Sequence, residues 1–348
     1  MKVALVSGFW AQNIGNAFFN IGGKWALEQV FGENNVQFVQ DRPPYRTFYD
    51  QMKGDPENYV KLHEMLDVEY LVLQGPMLTK TFPHIWGEAF KKLKERGVKI
   101  MLHGAAFFKY NDEEVAAVRA FLEKYPPHLI STRDEDTYNV IKDWPILTYN
   151  GLDSAFFVPK VFKPLKFNEP YYAFNFDRFP EPTVYLGNHD QKKDASFTFE
   201  NEVWNLKTPK VQQYFSLKGK SQAYLGHLLD RRKLPSSLLG KKIIRPEHRY
   251  VPHMTHKIYQ HPNSFVSDEV FTYLSVYANS TMTLADRVHA CVMTLAYGNP
   301  AMLFTISPRQ ALFKRVGAHD IRNRPVTIDL DYLESERVKQ IEFLKANV

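Results

Sequence analysis

A single cysteine, Cys291, in 348 residues excludes a disulfide framework within the chain and leaves no second thiol for a cysteine-based zinc site. Long apolar runs are missing too. Nothing approaches the roughly 18 consecutive apolar residues of a membrane-spanning helix. The apolar stretch before Ser7-Gly8 is too short for a signal-peptide core. There is no long Lys/Arg run, no zinc-finger spacing and no RNP-type motif, which argues against a nucleic-acid partner. Internal repeats and low-complexity tracts are absent. These absences lead us to expect a cytoplasmic protein, with contact at the inner face of the membrane left open.

What is present fits a chain with a real core: 44% hydrophobic and 24% charged residues. At roughly 100–200 residues per domain the length suggests two domains. Aromatics are rich, with 26 Phe and 19 Tyr, enough to pack a core and to line a ligand cleft. The formal charge of +6 favours anionic ligands such as phosphates, nucleotide sugars or the headgroup of a lipid-linked precursor.

The chain opens as strand, loop and helix: Lys2–Ser7, the turn-rich Gly8–Gly15, then apolar residues at helical spacing over Ala17–Val30. Strands are expected at Val36–Gln40, Tyr70–Gln74, Val98–His103 and Leu129–Thr132, and helices at Trp86–Arg96, Asp112–Lys124 and up to Ile141. This alternation implies a mostly parallel sheet covered on both faces. Three prolines within 158–172 mark an inter-domain linker. Residues 187–241 are polar, basic and weakly periodic, and read as an insertion with mobile loops, partly helical near 212–229. The α/β rhythm returns with strands at Lys242–Arg245, Thr281–Leu284 and Ala301–Ile306. Helices are expected at Asp268–Ala278, Arg287–Tyr297, Arg309–Val316 and Asp331–Lys345. The expected division is a first Rossmann-like domain over 1–160, a second over 161–330 carrying the insertion, and a C-terminal helix over 331–348. Two such domains face one central cleft at the carboxyl ends of both sheets, where open α/β folds bind ligands.

The sharpest local signal is Asp286-Arg287-Val288-His289, where a strand gives way to a helix. A helix start offers free N–H groups and a positive dipole end. With a guanidinium added, this makes a phosphate or carboxylate site. His289 adds a group that exchanges protons near neutral pH. Spacing alone admits an Arg–Asp surface pair and a core histidine equally well. Asn13-Ile14-Gly15-Asn16 is a small-residue loop after the first strand, neither a Walker loop nor a GxGxxG fingerprint. It can bring N–H groups to a ligand, or Asn16 can simply cap the helix. Gly75 and His103-Gly104 end strands that point at the cleft, although a tight turn also needs glycine. Arg133 follows the strand ending at Thr132, and pairing with Asp134 is the plainer alternative. Arg245, His248 and His253 belong to a basic, His-rich segment suited to anion contact or acid–base work, or to plain solvation. Its spacing matches no metal signature, so no metal site is expected.

In this order the segments resemble the polysaccharide pyruvyl transferase family. The carriers are Asn13-Ile14-Gly15-Asn16 for an Asn-x-Gly-Asp pattern, with Asn16 in place of Asp, and Gly75-Pro76 where the family has two glycines. Ser131-Thr132-Arg133-Asp134, Asp153-Ser154-Ala155-Phe156 and Arg287-Val288-His289-Ala290 with Gly298-Asn299-Pro300 complete the set. Arg309 stands where the family often has Lys. The resemblance runs over most of the chain and weakens between 187 and 241. It implies a GT-B-like α/β fold, phosphoenolpyruvate as donor substrate with no further cofactor, and a saccharide acceptor bearing two hydroxyls, free, nucleotide-linked or lipid-linked. The oligomeric state is left unassigned. By resemblance Arg287 and His289 hold the donor and serve catalysis, with Arg133 and Arg309 as further cations. Two rivals remain at this point: a GT-B glycosyltransferase using a nucleotide sugar, and a non-catalytic saccharide- or anion-binding protein.

Overall fold

The computed structural model describes residues 1–8, 10, 13–40, 62–188, 193–218, 220–230, 232–248, 261–305 and 308–348. His253, named above as a candidate, lies outside them.

The first half runs β1 (Val3–Ser7), α1 (Gly15–Phe31), β2 (Val36–Gln40), β3 (Tyr70–Gln74), α2 (Phe82–Glu95), β4 (Lys99–Ala105), α3 (Asp112–Lys124), β5 (Leu129–Thr132), α4 (Glu135–Ile141) and β6 (Thr148–Tyr149). All its strands pair in parallel, in the order β2-β1-β3-β4-β5-β6. Central β3 is buried at every position, as a strand covered on both faces must be, whereas edge strand β2 is mostly exposed. Side chains fix the helix starts. Asn111 accepts from the Glu114 N–H, and three acids in the first turn of α3 complement its dipole. Asp134 caps α4 by accepting from the Thr137 N–H.

A one-turn helix (Val158–Val161) and an exposed stretch lead to the second half. Its elements are β7 (Tyr171–Asn175), β8 (Thr183–Leu186), β9 (Ala195–Phe199), β10 (Glu202–Lys207), α5 (Lys210–Lys218), α6 (Lys220–Leu229), β11 (Ser237–Leu238), β12 (Lys241–Pro246), β13 (Ser264–Phe265), α7 (Val270–Asn279), β14 (Met282–Ala285), α8 (Val288–Ala296), β15 (Ala301–Leu303) and α9 (Leu330–Ala346). The second sheet has the order β11-β12-β7-β14-β15, parallel except for β11, with β13 beside the end of β12.

The stretch expected to be an irregular insertion contains the helices foreseen near 212–229 and also β9 and β10, with β10 pairing antiparallel with both β8 and β9. Phe197, Trp204 and Leu206 from this small sheet are buried with Tyr172, Phe174, Ile243, Met282 and Leu284 of the second sheet. The antiparallel sheet therefore covers one face of the second sheet, where a helical layer was expected. Each large apolar side chain buried this way contributes roughly 1.5–3 kcal/mol.

The halves meet through α1. Phe18 and Phe19 share one apolar cluster with Tyr273, Tyr277, Ala290 and Cys291. A Cβ on Gly22 would stand 2.1 Å from the Ser154 carbonyl, so α1 approaches the turn after β6 more closely than any other residue allows. Helix α9 then returns to the first half. Leu344 joins the core under β1 and β3, and Phe343 stacks on Tyr149 at 4.5 Å. Gln340 accepts from the Leu152 N–H at 2.7 Å, and Arg337 donates to the Phe156 carbonyl.

Candidate active site

The loops that meet at the junction all leave carboxyl ends of strands. Asn13 and Gly15 follow β1, Arg133 follows β5 and Asp153 follows β6. From the other half come Asp177 after β7, His248 after β12 and 286–289 after β14.

Arg287 is the N-cap residue of α8, in extended conformation and without a side-chain cap on the helix. The Ala290 N–H donates to the Arg287 carbonyl, and the N–H groups of Val288 and His289 are left for solvent or a ligand. Its guanidinium crosses to the other half: Nη2 donates to Asn13 Oδ1 at 2.6 Å, while Nε pairs with Asp177 Oδ2 at 3.2 Å. Nη1 has no protein partner among the described residues. The Asn13 amide in turn donates to Asn16 Oδ1 at 3.1 Å. Asn16 lies inside α1 rather than capping it, because the N-cap position belongs to Ile14. The Ile14 N–H donates to the His248 carbonyl, a backbone tie from the loop after β1 to the loop after β12.

His289 sits on the first turn of α8, with its ring 5.5 Å from that of Phe19. Its Nε2 faces Asp153 Oδ2 at 3.5 Å. The Nδ1 edge lies against Gly15, where an added Cβ would come within 3.2 Å. Gly75, at φ +89°, admits the Phe19 ring where a Cβ would meet it at 3.1 Å. The glycines of both loops therefore serve to seat the imidazole.

Asp153 was legible only as part of a motif, and the structure makes it the hub. Burial alone would raise its pKa. The charges of His289 and Arg133, with the Ala155 N–H at 2.9 Å, reverse that and hold it at about 2. Arg133 reaches it through Nη1 at 3.4 Å and also faces Asp134 at 3.6 Å. Arg133 is only 1% exposed, and its Nε and Nη2 have no hydrogen-bond partner among the described residues. His103 is fully buried at the end of β4 and held neutral, near 4, by desolvation that the Asp153 charge only partly opposes. Neither of its ring nitrogens has a hydrogen-bond partner among the described residues.

The remaining acids have structural duties. Asp286 accepts from the N–H groups of Asp177, Arg178 and Phe179, and so shapes the loop that carries Asp177 against Arg287. Burial and the nearby Asp177 raise its pKa. Isolated aspartates after strands carry no spacing signal, which is why Asp177 escaped the sequence reading.

Three candidates have side chains engaged with other groups, although the His248 N–H donates to Asp177 Oδ1 at 3.3 Å. Arg245 makes a bidentate pair with Glu181 at 2.7 and 2.8 Å and donates to the carbonyls of Pro235 and Pro262, so it is a buried structural cation and not a cleft contact. The His248 ring shares a hydrogen bond with the Tyr277 hydroxyl at 2.5 Å. Arg309 lies with its guanidinium over the Phe108 ring at 5.0 Å, bridging the loops after β15 and β4. Among the described residues no group of His, Cys, Asp and Glu is arranged to hold a metal ion, and no helix is long and apolar enough to cross a membrane.

Among solved structures the fold is similar to MnaA with UDP from S. aureus, at TM-score 0.50 and 11% identity over 100% of this chain and 91% of that one. It is also similar to a UDP-GlcNAc 2-epimerase from Neisseria meningitidis bound to UDP-GlcNAc, at 0.49 and 12% over 100% of both chains. The architecture is GT-B-like α/β. No curated protein matches the sequence. The family model described as polysaccharide pyruvyl transferase matches residues 13–308, a span that holds Asn13, Gly15, Arg133, Asp153, Asp177, Arg287 and His289, and the chain belongs to that family.

Proposed function

We propose that this site transfers the pyruvyl group of phosphoenolpyruvate onto two hydroxyls of a saccharide, in a surface polysaccharide or its precursor, releasing phosphate and leaving a cyclic ketal. The observation that carries the reading is Arg287 at the uncapped start of α8, beside an imidazole held by a buried carboxylate. Phosphoenolpyruvate bears a phosphate and a carboxylate, and both need donors. Arg287 Nη1 and the N–H groups of Val288 and His289 at the start of α8 suit one of them.

Proton delivery to the methylene carbon makes C2 electrophilic. One saccharide hydroxyl then bonds to C2 and loses its proton. The second hydroxyl bonds to the same carbon as the C2–O bond to phosphate breaks, and its proton leaves with the phosphate or a nearby base. In this reading His289 makes the first proton transfer or clamps the phosphate, with Asp153 orienting its ring. Arg133 acts through Asp153. Arg309 is the further cation that the family resemblance adds, although its guanidinium rests on the Phe108 ring. Positioning of donor and diol supplies much of the rate.

A nucleotide-sugar transferase would use the same architecture, and the fold likeness to the MnaA structure with UDP is compatible with it. The family match favours the pyruvyl reading. Incubation with each donor and a panel of saccharides separates them: a pyruvate ketal adds far less mass than a hexose and releases phosphate. Hexose addition, or donor binding with no phosphate released across the panel, would refute the proposal.

A further inference from the structure

Helices α5 and α6 form a hairpin whose outward side does not resemble an ordinary wetted surface. Val211, Tyr214 and Leu217 on α5, and Leu225 and Leu229 on α6, are between 45% and 63% exposed. Within each helix they recur at three- or four-residue spacing, so each set forms a stripe. The inward side is separately satisfied. Ala223 and His227 are buried, and Gly226 lets α6 close on α5, where an added Cβ would come within 3.1 Å of Phe215 Cβ. The outward stripe is thus not a remnant of a poorly packed core.

Charge gathers in the same place. Residues 207–233 contain seven Lys or Arg and a single acid, Asp230. That excess of six equals the formal charge of the entire chain, so all remaining residues together balance. Lys207, Lys210 and Lys218 are exposed, and the Lys218 ammonium stands 4.3 Å from the centre of the Tyr214 ring. An ammonium lodged beside an exposed aromatic, with leucines a turn away, is the arrangement that amphipathic side chains adopt at a headgroup boundary.

We propose that the α5–α6 hairpin docks on an anionic lipid surface, with the apolar stripe entering the headgroup region and the basic side chains on lipid phosphates. Nucleic acid would engage the cations but leave the five apolar side chains without a role. The hairpin is also connected to the site. His227 Nε2 bonds to the Asp177 carbonyl at 2.9 Å, and the Asp177 carboxylate pairs with Arg287. Docking therefore sets the cleft beside the membrane, where a lipid-linked acceptor would be presented. That corollary rests on the pyruvyl-transfer reading; the docking itself does not.

The test is co-sedimentation of the full chain with vesicles of phosphatidylcholine alone or mixed with phosphatidylglycerol, without donor or acceptor. The expected result is binding at least tenfold stronger to the anionic vesicles, weakened by raising salt as exposed charges become screened. The triple variant Leu217→Ser, Leu225→Ser, Leu229→Ser and the double variant Lys210→Glu, Lys218→Glu should each lose about tenfold or more. Both should keep the thermal unfolding and the phosphoenolpyruvate binding of the parent, because none of these residues belongs to the site. Equal binding to neutral vesicles, no binding by the parent, or unaltered binding by both variants overturns the proposal. So does a concentration-dependent dimer that the triple variant abolishes while vesicle binding is absent, or RNA binding that depends on the lysines alone.

Discussion

Asp153 Oδ2 lies 3.5 Å from His289 Nε2 and 3.4 Å from Arg133 Nη1, so one buried oxygen answers an imidazole from the second half and a guanidinium from the first. Replacing Asp153 with Asn keeps the shape and removes the charge. Asp153→Asn should lower turnover about 100-fold, as loss of an orienting carboxylate behind an imidazole does. It should also destabilise the fold by about 3 kcal/mol, since Arg133 would keep its buried charge with only the Asp134 partner. Phosphate release and urea unfolding measure the two effects. Normal turnover in this variant would remove Asp153 from the mechanism.

His289→Gln and His289→Ala should each reduce phosphate release about 100-fold or more, the usual weight of a proton-transferring group. If Gln retains most of the donor affinity while turnover collapses, His289 moves a proton. A parallel loss of affinity assigns it to the phosphate clamp. Near-normal turnover in both variants contradicts either role.

Arg287 spans Asp177 and Asn13 with two different nitrogens, a geometry no ammonium reproduces. Arg287→Lys should therefore weaken phosphoenolpyruvate binding about tenfold or more despite the retained charge. Titration calorimetry reads this directly, and unchanged affinity would mean that the donor binds elsewhere.

Gly15→Ala is a finer probe. The new methyl would sit 3.2 Å from His289 Nδ1 and 3.4 Å from Asn13 Oδ1, displacing each by a few tenths of an ångström. Turnover should fall several-fold while the melting temperature changes little. A large stability loss with intact activity per folded molecule would show that the contact is merely packing.

Stability should also depend on pH through His103. Burial holds its folded pKa at about 4 against an ordinary 6.5, so between those values only the unfolded chain takes up the proton. The contribution is complete above pH 6.5 and is lost as pH falls through about 4. It amounts to on the order of 3 kcal/mol. Asp153, held at about 2, adds a loss of the same sign at lower pH. Urea unfolding at pH 7.5, 5.5 and 4.5 checks this, and His103→Gln should flatten the slope. A flat profile in the parent protein would contradict it.

The first sheet was readable because each parallel strand is a short apolar run closed by a turn. The bounds expected for β2, β3, β5 and α3 coincide with those observed. β9 and β10 are short and sit in a polar, basic stretch, and the residues that Phe197 and Trp204 bury against, Tyr172, Ile243 and Met282 among them, are distant in sequence. The site shows the same divide. Arg287 and His289 lie two residues apart at a strand-to-helix switch, a local pattern. Asp177 meets Arg287 across 110 residues, and Glu181 neutralises Arg245 across 64, so neither pairing leaves a trace in spacing.

The return of α9 to the first half has a consequence for how the molecule assembles. Val3, Leu5, Leu27 and Tyr70 share their core with Leu344, and the Gln340 carboxamide satisfies the Leu152 N–H. The opening strands must therefore wait, with that face unsealed, until a segment some 300 residues downstream has been made. Contacts of such sequence separation make slow, late closure of that face the expected final step.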